Sequence, residues 1–164
     1  LFSLKEKGIY IDVEETGSTF CENALIKARE IAKISGSAAL ADDSGLEVYA
    51  LDNAPGVYSA RYGGAHGDDN ANNYRLLKEM QGVTDRRARF VSCIALCYPD
   101  GKHIFGQGVV EGVILDSEKG KNGFGYDPLF YCNELGKSFG EATDSDKNSV
   151  SHRSRALYDL LAKL

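Results

Sequence analysis

In Ala38-Ala39-Leu40-Ala41-Asp42-Asp43-Ser44-Gly45, four small or apolar residues run into two adjacent carboxylates and a Ser-Gly pair. The pattern predicts a buried strand over 38–42 that ends in a turn, with a second strand from Leu46 to Leu51 beyond it. Carboxylates at a strand end, facing a crevice, are where α/β proteins place metal and proton chemistry. Successive strand side chains point to opposite faces, so regular geometry turns at most one of Asp42 and Asp43 toward a given site. The other is left to bond backbone donors or to serve the turn.

Upstream, Ile9-Tyr10-Ile11-Asp12-Val13 reads as a short β run, and Thr19-Phe20-Cys21-Glu22 has capping-box form. The helix that follows places Ala24, Leu25, Ala28, Ile31 and Ala32 on one face and Lys27, Arg29, Glu30 and Lys33 largely opposite, with Gly36 as its stop. Downstream, residues 52–68 hold Asn53, Pro55, Gly56, Gly63, Gly64 and Gly67 and read as an irregular functional loop. A helix over 70–80 should carry Tyr74, Leu77 and Met80 on one stripe. Arg87 to Tyr98 and Lys102 to Leu115 flank Pro99-Asp100-Gly101 as a hairpin. A last helix over 150–164 should bury Val150, Leu157, Leu160, Leu161 and Leu164. These elements predict one α/β domain bent into two lobes.

The chain has 164 residues, of which 43% are hydrophobic, enough for a single domain with a substantial core. A net charge of −5 argues against a general nucleic-acid binder, which needs a basic surface, but leaves room for a small anionic ligand where cations gather. No apolar run is long enough to span a bilayer, and no membrane partner is expected. Cys21, Cys93, Cys97 and Cys132 show no zinc-site spacing. On one strand Cys93 and Cys97 would lie about 13 Å apart, too far to bridge. Four buried, reduced thiols of a cytoplasmic protein are therefore expected.

Three segments besides Asp42-Asp43 carry chemistry. Glu14-Glu15 precedes a Gly and a helix start; with Asp43 it offers carboxylates from two segments, and Mg²⁺ wants one or two of these plus substrate phosphates. In Gly123-Phe124-Gly125-Tyr126-Asp127-Pro128 the glycines leave the Phe124 ring free to stack on a flat ligand. Lys147-Asn148-Ser149-Val150-Ser151-His152-Arg153 puts cations at the start of a helix. That position suits an anion or a polar base edge and opposes the helix dipole when empty. His66 and His103 have no such setting and are expected at the surface.

These segments, with Pro55-Gly56-Val57-Tyr58-Ser59-Ala60-Arg61-Tyr62 between them, occur in the order found in the inosine triphosphate pyrophosphatase family, Ham1-like enzymes, and the chain resembles that family over nearly its whole length. The resemblance implies an elongated mixed sheet with flanking helices, in two lobes around a central cleft. It also implies a cytoplasmic homodimer that uses Mg²⁺ to cut ITP, dITP and XTP to the monophosphate and pyrophosphate. By position, Asp43 matches the proton acceptor, and Glu15 and Asp43 match the metal ligands. Ser44, Phe124, Gly125, Tyr126, Asp127, Lys147, His152 and Arg153 match substrate-binding positions, with Asp42 and Arg61 in support.

The family opens with a strand, an Asn- and Lys-containing phosphate loop and a helix, none of which lies within residues 1–164. A segment carrying them is expected before Leu1. Two rival readings follow from the residues. A nucleotide-binding protein without catalysis would share the same motifs but release no pyrophosphate. An Asp-nucleophile phosphatase would need Asp-x-Asp spacing, and Asp42-Asp43 are adjacent.

Overall fold

In the computed structural model, which describes residues 1–164, four α-helices accompany a five-stranded sheet, with α1 and α4 packed directly on it. The strands are β1 (Ala39–Val48), β2 (Arg87–Cys97), β3 (His103–Ile114), β4 (Phe130–Cys132) and β5 (Lys137–Ser138), side by side in that order and antiparallel throughout. The helices are α1 (Phe20–Ser35), α2 (Asp69–Glu79), α3 (Asp144–Val150) and α4 (His152–Leu161). The α/β class and the hairpin around Pro99-Asp100-Gly101 are as the sequence predicts. Ile9 to Val13, in contrast, lies outside the sheet.

β1 corrects the predicted strand–turn–strand. Asp42, Asp43, Ser44 and Gly45 sit within one continuous strand, paired in register with Ile94, Cys93, Ser92 and Val91 of β2. Gly45 marks a close crossing, not a turn: a Cβ there would fall 2.5 Å from Ser59 Oγ and 2.6 Å from the Gly56 carbonyl oxygen. The 3₁₀ turn over Gly56–Arg61 packs on the strand at this point, and only a residue without a side chain admits it.

The pleat divides the interior in two. On one face Ala39 and Ala95 with Cys97 meet Ala24, Ala28 and Ala32 of α1. The capping box forms as predicted, Thr19 Oγ1 accepting the Glu22 N–H at 3.1 Å, and Gly36 ends the helix in a left-handed conformation. On the other face Leu46, Val48, Phe90, Val110 and Ile114 build the larger core with Leu76 and Met80 of the α2 region and Phe130 and Phe139. Tyr74 is exposed rather than buried; the inward side of α2 presents Asn72, Asn73 and Leu76. Asn72 bonds loop backbone at both ends of its amide, at Gly63 and Ala60, whereas Asn73 donates to the Gly125 carbonyl and leaves its Oδ1 buried without a partner.

The predicted last helix is two. Ser151, extended at φ −63 and ψ 149, ends α3 and caps α4, its Oγ accepting the Ser154 N–H. α4 buries His152, Ala156 and Leu160, while Leu157, Leu161 and Leu164 are exposed and Val150 is half-buried. α4 rides on β3 at Gly106 and Gly108. A Cβ on Gly108 would lie 2.1 Å from the His152 carbonyl oxygen.

The expectation of four free thiols is also corrected. Cys21 and Cys93 form a disulfide with Cα atoms 5.1 Å apart; Cys97 and Cys132 stay free and buried. The bonded pair comes from different elements, because the first turn of α1 lies across β2.

Gly108→Ala should push α4 off the sheet and destabilise the protein by roughly 2 kcal/mol, the scale of an overpacked contact. Urea unfolding measures this, and an unchanged midpoint would contradict the close crossing.

Candidate active site

Alternation along β1 separates the two aspartates. Asp43 points to the α1 face. Its Oδ2 accepts from Asn23 Nδ2 at 3.1 Å, and its Oδ1 lies 3.7 Å from Lys27 Nζ. The same ammonium donates to Glu15 Oε1 at 3.1 Å. One cation thus bridges carboxylates from two segments. Burial raises the Asp43 carboxyl above its ordinary range and the Glu15 charge adds to this, while Lys27 and the Asn23 bond pull the other way.

Asp42 and Ser44 face α4. Asp42 Oδ2 accepts from Arg153 Nε at 3.0 Å and lies 3.1 Å from Ser44 Oγ, which also contacts Ser92 Oγ at 2.9 Å. Beside them opens a cavity of about 180 Å³ bounded by Ser44, Gly45, Ser59, Asp69, Phe90, Phe124 to Asp127, Lys147, His152 and Arg153. Phe124 is 62% exposed, with Lys147 Nζ 4.7 Å and Arg153 Cζ 5.6 Å from its ring centre. Its loop is pinned from several sides. Asp127 accepts from the Phe124 N–H and from Lys147, Asp69 accepts from the Gly125 N–H, and the Tyr126 hydroxyl donates to the Ser59 carbonyl. An aromatic platform flanked by cations, with its backbone fixed, suits a flat, anion-bearing ligand.

Lys147 lies in the last turn of α3, where positive charge is favourable, not at a helix start as the sequence suggests. Only Arg153 opposes a dipole, and Asp42 offsets it. His152 stacks on Phe90 with ring centres 4.9 Å apart, and its Nδ1 is buried without a partner. Burial first, then the charges of Arg153 and Lys147, push its pKa down to about 3 against the opposing pull of Asp42. The ring is therefore neutral at neutral pH, with its buried Nδ1 unpaired.

The structure brings Phe124, Gly125, Tyr126, Asp127, Lys147, His152, Arg153 and Ser44 together around one cavity. Glu15 and Asp43 form a second cluster on the other face of β1 and do not line that cavity. Arg61 joins neither; it lies over the exposed Tyr58 ring. Sequence reasoning missed Asn23 and Lys27, and assigned Lys27 to the outer face of its helix. The available signal was spacing: Lys27 stands four residues after Asn23 and shares its side of α1. Asp69, whose carboxylate accepts the Gly125 N–H, and Ser59, whose carbonyl accepts from Tyr126, had no such signal.

No cluster of three or more Asp, Glu, His or Cys side chains is placed to hold a metal ion. Two oxygen-donor carboxylates already gathered around a cation fit a hard divalent ion that completes its shell with phosphate oxygens and water. Fold and site together describe an α/β protein that handles phosphorylated, planar ligands.

Comparison with known proteins gives this class its family. Residues 1–163 match the Ham1 family. The chain is 54% identical over 159 residues to a dITP/XTP pyrophosphatase of Geobacter sulfurreducens, covering 96% of this chain and 80% of that protein. It is 54% identical over 150 residues to the dITP/XTP pyrophosphatase of Thermus thermophilus, covering 90% and 72%. Among solved structures, the Staphylococcus aureus Ham1 protein superposes with a TM-score of 0.89 at 47% identity, over 93% of this chain and 80% of that one. The chain belongs to the Ham1 family. No helix is long and apolar enough to cross a membrane.

The depressed His152 pKa has a signed consequence. The unfolded ring, near 6.5, binds a proton that the folded ring refuses until about pH 3. Stability from this group is therefore complete above pH 6.5 and is lost as pH falls toward 3. Between pH 7.5 and 5.5 the parent should lose about 1.4 kcal/mol relative to His152→Phe, whose ring can still stack on Phe90. Urea titrations at both pH values measure the difference; equal losses would place His152 in contact with solvent.

Proposed function

We propose that this chain is a nucleoside triphosphate pyrophosphohydrolase acting on purine nucleotides with a 6-keto base, ITP, dITP and XTP, and that it removes them from the nucleotide pool. The observation that carries this reading is the pair of clusters on β1, a cation-bridged carboxylate pair on one face and an aromatic, cation-flanked cavity on the other. The names of its relatives support the same substrates. Mg²⁺ is the ion that suits Glu15 and Asp43 best, since it accepts few protein carboxylates and keeps substrate phosphates and water in its shell.

When bound, the ion offsets charge on the phosphates and on the pyrophosphate leaving group. The remaining work falls to side chains. Phe124 stacks on the base, and Lys147 and Arg153 give its surroundings positive charge. Arg153 and the neutral His152 ring, which line the cavity, are the groups available to read the base edge. Asp43, with its basicity raised by burial, orients a water and takes its proton as oxygen bonds to the α-phosphorus and the bridge to the β-phosphate breaks. Lys27, which lies between Glu15 and Asp43, would be the cation placed to meet phosphate oxygens if those carboxylates held the ion. We take the working form to be a homodimer, which light scattering checks.

Asp43→Asn should cut kcat by more than about a hundredfold and leave the thermal midpoint unchanged, whereas activity within about threefold of the parent would remove Asp43 from the reaction. With pyrophosphate release as the readout, ITP or XTP should exceed ATP in kcat/KM by at least about a hundredfold, because the adenine amino group leaves a donor unpaired. Arg153→Ala should narrow that ratio. Equal efficiency on ATP and ITP would reject the base-reading role, and nucleotide binding with no pyrophosphate release would favour a non-catalytic binder.

A further inference from the structure

Asn23 is a polar side chain only 2% exposed, rooted in the first turn of α1. Its two ends are bound to two different parts of the acidic cluster. Oδ1 accepts the Gly17 N–H at 2.7 Å, two residues beyond Glu15, and Nδ2 donates to Asp43 Oδ2 at 3.1 Å. The approach is tight enough that a Cβ on Gly17 would lie 2.7 Å from Asn23 Oδ1. The turn that carries Asn23 is itself held firmly. The capping box closes it, Ala24 seats it on the sheet, and the Cys21–Cys93 disulfide ties it to the β2 residue paired with Asp43.

A buried amide in this position does more than satisfy itself. The Glu15 segment has no strand or helix of its own, and nothing regular in the backbone fixes its distance from β1. Two α1 side chains span the gap, the long Lys27 between the carboxylates and the short, buried Asn23 amide between the Gly17 backbone and Asp43. The Asn23 donor engages Asp43 Oδ2 and leaves Oδ1 toward Lys27 and the space between the carboxylates.

We propose that Asn23 is a positioning residue: its side-chain amide locks the Glu15 segment and Asp43 into the spacing at which the two carboxylates share one divalent cation. The proposal rests on the assignment of Glu15 and Asp43 as the metal-holding pair. Groups that orient metal ligands in this way, without touching the metal, characteristically change metal affinity by about 10- to 100-fold when removed.

The test is direct binding of Mn²⁺ to the full chain, followed by the loss of the free-ion electron paramagnetic resonance signal, for the parent, Asn23→Ala, Asn23→Leu, Glu15→Gln and Asp43→Asn. The leucine variant refills the volume without either hydrogen bond, so it keeps the test informative where the alanine variant loses stability. Both Asn23 variants should bind Mn²⁺ at least about tenfold more weakly. Their kcat at fixed, subsaturating metal should fall, and the nucleotide KM at saturating metal should stay within about twofold of the parent. A merely structural role would lower the thermal midpoint without moving metal affinity apart from nucleotide KM. Folded Asn23 variants with parent-like Mn²⁺ affinity would overturn the positioning role while Glu15→Gln and Asp43→Asn still lose binding. Parent-like binding by Glu15→Gln and Asp43→Asn would overturn the metal-pair assignment itself.

Discussion

The pleat of β1 is the constraint on which the rest of the site depends. Two consecutive carboxylates cannot face the same way from a regular strand, and pairing with β2 along its whole length keeps β1 regular. Asp43 is thereby committed to α1 and Asp42 to α4. Each then meets different partners: Asp43 an asparagine and a lysine shared with Glu15, Asp42 an arginine and a serine. The separation of the two clusters onto opposite faces is a consequence of the two-residue period.

Packing decides how close those partners come. α1 approaches the sheet through alanines, Ala24, Ala28 and Ala32 against Ala39 and Ala95. Small side chains allow a helix to sit low, and only then does a short residue such as Asn23 reach a strand carboxylate. On the other face the absence of side chains at Gly106 and Gly108 lets α4 down onto β3. That descent delivers His152 to Phe90 and Arg153 to Asp42. The electrostatics follow from burial. A half-buried Asp43 gains basicity, a buried His152 loses it, and Lys27 occupies the space between two carboxylates that would otherwise repel.

Much of this is legible in the chain. The capping box, the alanine face and the Pro-Asp-Gly hairpin each depend on local spacing, and each is found where spacing puts it. What escaped depends on long-range contact. Ser-Gly after two aspartates looks like a turn until the 56–61 segment is seen crossing at Gly45. The Ser151 break in the last helix follows from capping, because a serine can end one helix and start another. Leu157, Leu161 and Leu164 kept the apolar period without a surface to bury against. Cys21 and Cys93 are 72 residues apart, and nothing local links them. Asn23 and Lys27 were hidden by their ordinariness on an amphipathic helix; only the position of Asp43 across from them shows what they do.

The central claim is that metal and base are handled on opposite faces of one strand. A crystal structure of the protein with Mg²⁺ and a non-hydrolysable ITP analogue tests it most directly. The cation should lie between Glu15 and Asp43 on the α1 side, with the hypoxanthine ring stacked on Phe124 beside Arg153 and His152. A cation held by Asp42 on the α4 side, or a base bound away from Phe124, would contradict it.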